Sequence, residues 1–145
     1  MTRTHIAETI HASTVSVRGH GVLIMGASGS GKSGLALRMM ALGADLVADD
    51  RVQLSGQAKE LWAQAPAAIQ GMIEARGIGV ISVPFVSQTV LSLVVDLDRD
   101  PSARMPQRCV FTRLGANIPL ILGRGVPNLA STLMFLARTG GVTLE

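Results

Sequence analysis

The residues with chemistry to offer in this chain fall in four short stretches. The first, Gly26-Ala27-Ser28-Gly29-Ser30-Gly31-Lys32-Ser33, has the form G-x-x-x-x-G-K-S. Small residues at this spacing let successive backbone N–H groups turn inward and surround a phosphate, and a following helix adds the partial positive charge of its N-terminus. A lysine at this position reaches β- and γ-phosphates, and a serine hydroxyl there ligates Mg²⁺. An apolar run precedes the stretch and a Leu/Ala/Met-rich run follows it, so it reads as a polyphosphate-binding loop rather than an ordinary glycine-rich turn.

The second stretch is Asp49-Asp50, which closes the apolar run Leu46-Val47-Ala48. Adjacent carboxylates repel and resist desolvation unless a cation lies near. A metal–phosphate site beginning at Ser33 would supply one; the pair also reads as turn residues leading into Arg51. Val94-Val95-Asp96-Leu97-Asp98 is a rival of the same form. There, however, Asp96, Asp98 and Asp100 alternate around Arg99 before Pro101, as a solvated turn does, so Asp49-Asp50 is preferred. The third stretch, Glu74-Ala75-Arg76-Gly77-Ile78-Gly79, isolates two charges among Met72, Ile73, Ile78, Val80 and Ile81. Buried charges need partners, and a carboxylate with a guanidinium two residues on can face Mg²⁺ and phosphate together. The same residues also read as a helix C-terminus, with Arg76 on the dipole and Gly77 as its left-handed cap. The fourth is His11, fifteen residues before Gly26. Taken by itself it is a surface histidine.

These residues need elements to hold them. Alternation predicts a strand over Glu8–Val17, a turn at Arg18–Gly21 and a short apolar strand over Gly21–Met25. A helix is expected over Ser33–Leu42, stopped by Gly43. Short strands are expected at 45–48, 51–55 and 58–64, the last two hinged at Ser55-Gly56. Pro66 should open a short helix toward Met72. Strands near 79–83, 89–97, 109–112 and 118–122 precede a last helix over Pro127–Ala137, ended by Gly140-Gly141. The expected fold is α/β: a strand-rich phosphate-loop domain, with a mixed sheet around one strand–loop–helix unit and a C-terminal helix.

Composition narrows the classes. One domain over residues 1–145, 48% hydrophobic and 16% charged, is not a disordered chain. Mean hydropathy is high, at +0.39, yet the longest charge-free stretch, Gly77 to Val95, contains Pro84 and several hydroxyl residues and reads as two strands and a turn, not a membrane span. No leader-like apolar segment opens the chain. One cysteine, Cys109, fits a reducing compartment, and a cytoplasmic location is expected. Sequence pI is near 10.0, but net charge is only +3 and there is no Tyr. With no Lys/Arg run and no aromatic platform, nucleic acid is not an expected partner.

Read together, the ordered motifs resemble one family. His11, the loop from Gly26 to Ser33, Ala48-Asp49-Asp50 and Glu74-x-Arg76-Gly77-x-Gly79 look like the catalytic domain of HPr kinase/phosphorylase, the bifunctional regulator of the phosphotransferase system. The resemblance runs from about residue 5 to residue 138. It implies a short form lacking the N-terminal domain that family members usually carry, similar to versions in some Gram-negative bacteria. It further implies that Gly26, Ala27, Ser28, Gly29, Ser30, Gly31, Lys32 and Ser33 bind ATP, or pyrophosphate in the reverse-type reaction, with Arg76 at the same site. Lys32 stabilises the transferring phosphoryl group. Ser33, Asp49 and Glu74 hold Mg²⁺. Asp50 takes the proton of the substrate serine and returns it in dephosphorylation. His11 pairs with an aspartate of the 49–50 pair, and Arg113 neutralises phosphate charge. The implied partners are HPr and further copies of the chain, a hexamer by resemblance.

Two stretches depart from the family pattern. The loop associated with phosphorolysis ends in R-N, whereas here Gly123-Arg124-Gly125-Val126-Pro127-Asn128 puts proline before the asparagine. The segment between Asp96 and Arg113 also differs. Two other functions stay open from the residues alone. One is a small-metabolite kinase, with Arg99, Arg104 and Arg108 as lid arginines; the other is a nucleotide-sensing module without turnover.

Overall fold

A computed structural model of the chain describes residues 6–101, 103 and 109–139. Strands β1 (Glu8–Ile10), β2 (Ala12–Val17) and β3 (His20–Met25) precede helix α1 (Lys32–Ala41). Then come β4 (Asp45–Ala48), β5 (Val52–Gln57), β6 (Glu60–Gln64), β7 (Met72–Ala75) and β8 (Gly79–Ser82). After these follow β9 (Gln88–Asp96), β10 (Cys109–Arg113) and β11 (Ala116–Leu122), and helix α2 (Leu129–Arg138) is last. Arg104 and Arg108, expected as lid arginines, and Gly140-Gly141 lie outside the described residues.

One mixed sheet runs in the order β1-β5-β6-β9-β3-β2-β4, and β10 joins it through β11; β7 and β8 form a separate hairpin. β9 is the spine. One of its edges lies parallel to β3 from His20↔Val90 to Met25↔Asp96. The other edge is shared: its first half pairs antiparallel with β6, its second half parallel with β11. Met25, Asp96 and Leu122 therefore end three parallel strands at one rim of the sheet, where ligands of open α/β sheets bind. The architecture is the strand-rich α/β arrangement that the pattern predicts.

Both faces of the sheet are buried. Val22, Ile24, Leu93 and Val95 pack against Leu35 and Met39 of α1 and Leu133 and Ala137 of α2. Leu23 and Val94 point the other way, into a cluster with Leu54, Leu61, Phe111 and Ile118 to which, among the described residues, neither α1 nor α2 contributes. The sheet thus curls over so that its own strands cover that face. Each fully buried Leu or Ile contributes about 1.5–3 kcal/mol. The register of β9 against β3 slips at Ser92, between the pairs Gly21↔Leu91 and Val22↔Leu93, and this bulge sends Leu91 and Leu93 to different clusters.

Helix α1 forms where expected. Its Leu, Ala and Met residues favour helix, and Leu35, Ala36 and Met39 are buried against the sheet. Gly43, at φ +116, stops it, while the Ala44 N–H donates to the Met39 carbonyl at 3.0 Å. The loop Gly71-to-Glu74 region differs from expectation. Pro66 opens only a 3-10 turn, Ala67–Ile69, and Met72 begins strand β7 instead of ending a helix. The hinge of the β5–β6 hairpin is Ala58-Lys59, both at positive φ, rather than Ser55-Gly56. Gly56 serves close packing: a Cβ there would meet the Leu114 carbonyl oxygen at 2.7 Å. The single strand expected over Glu8–Val17 is broken at His11, because β1 pairs with β5 whereas β2 pairs with β3 and β4. No described helix is long and apolar enough to cross a membrane, and the charge-free stretch from Gly77 to Val95 divides between β8 and β9.

Candidate active site

The loop from Gly26 to Ser33 joins the end of β3 to the start of α1, so its amides gather at a helix N-terminus. Gly31 sits at φ +101, a left-handed conformation that glycine adopts without steric cost. A Cβ on Gly26 would overlap Ser30 Oγ, so only glycine lets the loop close on itself. The Lys32 ammonium lies across the loop and donates to the carbonyls of Gly26 (2.8 Å) and Ala27 (3.1 Å). Small residues at a helix N-terminus, and a lysine that has no carboxylate partner among the described residues, fit a chain of phosphates.

Asp49 is buried and ties three segments together. Its Oδ1 accepts the hydroxyls of Ser33 (2.6 Å) and Ser13 (2.7 Å), and its Oδ2 accepts the Glu74 backbone N–H (3.1 Å). These three donors compensate the desolvated charge without a protein cation. Asp49, expected as a metal ligand, is thus engaged through both oxygens, with the Ser33 hydroxyl and the Glu74 backbone held on either side of it. That donor set of a hydroxyl and two carboxylates is hard oxygen, which suits Mg²⁺.

Asp50 is exposed and takes φ +73. The Arg51 N–H donates to the Asp49 carbonyl at 2.9 Å, closing a γ-turn around Asp50. A γ-turn with positive φ is rare and strained, at about 1–3 kcal/mol for a residue with a Cβ.

A cleft of about 600 Å³ opens over the loop, and its walls carry His11, Asp50, Glu74 and Arg76 together with Lys32 and Ser33. His11 is there because the chain breaks between β1 and β2 at that residue. The alternation of β7 buries Ile73 and Ala75 and leaves Glu74 and Arg76 on the open side. Those two charges, read from sequence as isolated in apolar surroundings, face the cleft, and the turn at Gly77 (φ +85) belongs to a hairpin rather than a helix end.

Two expectations are not met by the geometry. Among the described residues no hydrogen bond or ion pair joins His11 to Asp49 or Asp50; His11 and Asp50 share the cleft, whereas Asp49 is buried beneath it. Arg113 does not line the cleft: its guanidinium pairs with Glu8 at 3.1 Å and stacks on Phe111 at 4.9 Å. The reason is topological, since β10 lies on the β11 arm of the sheet and not beside β2 and β4.

One residue of the rival stretch, ranked below Asp49-Asp50 as part of a solvated turn, touches the loop. Asp98, in the turn after β9, accepts the Ala27 N–H through both oxygens at 3.0 and 2.9 Å, and its own N–H donates to Asp96 Oδ1 at 2.9 Å. The turn is solvated as expected, but parallel pairing of β9 with β3 brings it to the loop. The available signal was an apolar run ending in Asp, the form of a parallel strand whose end lies beside a phosphate loop.

The chain is similar to known proteins over most of its length. Residues 4–118 match the family model described as HPr Serine kinase C-terminal domain. The HPr kinase/phosphorylase of Mycoplasmopsis pulmonis is 32% identical over 152 residues, covering 91% of this chain and 49% of that protein. The HPr kinase/phosphorylase of Clostridium acetobutylicum is 38% identical over 131 residues, covering 86% of this chain and 41% of that protein. A solved structure, the Hpr(Ser) kinase/phosphatase from Coxiella burnetii, superposes with a TM-score of 0.77 at 30% identity, covering 91% of this chain and 95% of that one. The chain spans about half the length, or less, of the curated relatives it matches. With the family model matched over most of its residues, the chain belongs to the HPr Serine kinase C-terminal domain family.

Proposed function

We propose that this chain transfers the γ-phosphoryl group of ATP, with Mg²⁺, to a serine of the carrier protein HPr, and that it can run the reverse phosphorolysis with inorganic phosphate to give pyrophosphate. The observation that supports it is the single cleft shared by the phosphate loop, Asp50, His11, Glu74 and Arg76. Phosphoryl transfer asks the protein mainly for positioning and charge. ATP supplies the activated phosphoryl group, and Mg²⁺ neutralises charge on its oxygens.

The protein groups divide that work. Loop amides and Lys32 bind and orient the phosphates, with Lys32 exchanging the Gly26 and Ala27 carbonyls for them. Ser33 and Glu74, spaced by Asp49, offer oxygen ligands for the cation. Asp50 accepts the proton of the serine hydroxyl as its oxygen bonds to phosphorus and the bond to the β-phosphate oxygen breaks; in the reverse direction Asp50 returns it. Arg76 adds positive charge on the opposite wall. General-base assistance of this kind is worth about 10²–10⁴-fold.

The reading extends to the surroundings of the site. Ile78, Val80 and Phe135 are 82%, 64% and 66% exposed, which supports contacts with further copies of the chain in a homo-oligomer. A single cysteine supports a cytoplasmic setting.

The test is transfer of labelled phosphate from ATP to HPr. Wild type should label a serine, while Lys32→Ala and Asp50→Asn should each lose about 10²-fold or more. Tight ATP binding by wild type with no transfer to HPr would overturn the reading.

A further inference from the structure

Ser13 is fully buried in β2, yet its hydroxyl is committed to the site: it donates to Asp49 Oδ1 at 2.7 Å. That same oxygen accepts the Ser33 hydroxyl at 2.6 Å, and Oδ2 accepts the Glu74 N–H at 3.1 Å. Ser33 and Glu74 line the cleft, from α1 and β7, whereas Ser13 does not. Of these three anchors of the carboxylate, Ser13 alone belongs to the large sheet.

The meeting of Ser13 and Asp49 depends on a bulge. β4 pairs Ala48 with Thr14 and Leu46 with Val15, so Val47 is an extra residue between the two pairs. Leu46 packs in the cluster beneath the helices, and Ala48 in the cluster on the opposite face. Regular alternation would put these two on one face and send Asp49 to the other, away from α1. The extra residue reverses this. Asp49 returns to the helix side, where Ser13 also points, two residues before Val15 of the helix-side cluster.

A serine hydroxyl carries one proton and two lone pairs. With its proton given to Asp49 Oδ1, Ser33 keeps both lone pairs for a cation. An aspartate carboxylate turns broadly about its last torsion, so that direction lasts only while Oδ1 is held in place. Two hydroxyls share this oxygen, and the Ser13 bond fixes it from the sheet side. Resting on the reading of Ser33 as a ligand of Mg²⁺, we propose that Ser13 is a positioning residue: through Asp49 it aims the Ser33 hydroxyl, and so sets how tightly the cation is held with the phosphates. It touches neither ligand.

The test is pyrophosphate binding by calorimetry, in EDTA and again in excess Mg²⁺; the ratio of the two affinities measures what the cation adds. Ser13→Val and Ser13→Thr fill nearly the same volume, and only the threonine keeps a hydroxyl. Ser13→Thr should match the wild-type gain within about twofold, whereas Ser13→Val and Ser13→Ala should each lose about tenfold of it. In EDTA wild type and all three variants should bind within about twofold of one another. A full gain in the valine and alanine variants would overturn the role of Ser13 and leave the phosphate loop standing. A threonine variant as poor as the valine one would overturn it as well, since the hydroxyl would then not matter. So would equal weakening of the valine and alanine variants in EDTA and in Mg²⁺, the mark of a merely structural effect. No gain from Mg²⁺ in wild type would defeat the cation reading of Ser33 and this proposal with it, and no binding at all would defeat the loop reading. The expected pattern without transfer to HPr would leave the role of Ser13 standing and defeat only the proposed reaction.

Discussion

Ser33 and Glu74 stand on opposite sides of one buried carboxylate: the Ser33 hydroxyl reaches Asp49 Oδ1 at 2.6 Å and the Glu74 N–H reaches Oδ2 at 3.1 Å. Asp49 therefore ties the Ser33 hydroxyl to the backbone of Glu74, with Ser13 as the third anchor at 2.7 Å. Replacing Asp49 by Leu strands three donors. We expect destabilisation of about 3 kcal/mol or more and a fall in Tm of roughly 6–12 °C, read by calorimetry. Ser13→Ala removes one bond and should cost only about 1 kcal/mol. Equal stability of wild type and the Leu variant would contradict this account.

Asp50 illustrates strain kept at a site. Glycine tolerates φ +73 freely, so Asp50→Gly should raise stability by about 1 kcal/mol while removing phosphotransfer. Asp50→Asn keeps the turn with little change in Tm and should also lose transfer. Thermal melts beside a transfer assay check both, and a less stable glycine variant would show that the turn is not strained.

The grip of Asp98 on the Ala27 amide concerns loop shape. Asp98 is exposed, so Asp98→Ala should leave Tm nearly unchanged, yet weaken pyrophosphate binding by about three- to tenfold through loss of a preorganised loop. Calorimetric titration decides; unchanged affinity would mean that the bond is incidental.

Asp100 and Arg124 join the turn after β9 to the loop before α2 at 3.0 Å. The hydrogen bond from Arg124 comes first, then the backbone N–H of Asp100 itself and the attraction of the Arg124 charge; these hold the Asp100 carboxyl below its ordinary value of 3.8. A depressed carboxyl contributes stability that is present above the unfolded value and lost as pH falls through the folded one. The pair should therefore persist at neutral pH and open only in acid below about pH 3.8. An NMR titration of the Asp100 carboxyl should give a midpoint below that figure, and Arg124→Gln should bring it back.

Local chemistry was the legible part of this chain. The loop from Gly26 to Ser33, the helix after it and the stop at Gly43 are written in consecutive residues, so spacing alone reveals them. Long-range pairing was harder. Alternation in Glu8–Val17 cannot show that the chain changes neighbours at His11. Gly56 looks like a hinge until Leu114, far along the chain, is placed above it. Asp98 reads as solvent-facing because the feature that matters is a parallel strand neighbour, and Arg113 follows a family position but sits on a different arm of the sheet. Glu74 and Arg76 stand among apolar residues in sequence, yet the pleat of β7 turns Glu74 outward and Arg76, just past its end, is exposed as well.

The bonds that shape the site bridge long stretches of chain: 36 residues from Ser13 to Asp49, 25 from Asp49 to Glu74 and 71 from Ala27 to Asp98. Contacts of such separation form late, after the loop-closure entropy has been met. A chain emerging from the ribosome carries the phosphate loop long before it has the strand end that grips it. Competence to bind nucleotide therefore arrives with the completed fold, and a truncated translation product ending before β9 would be a silent one.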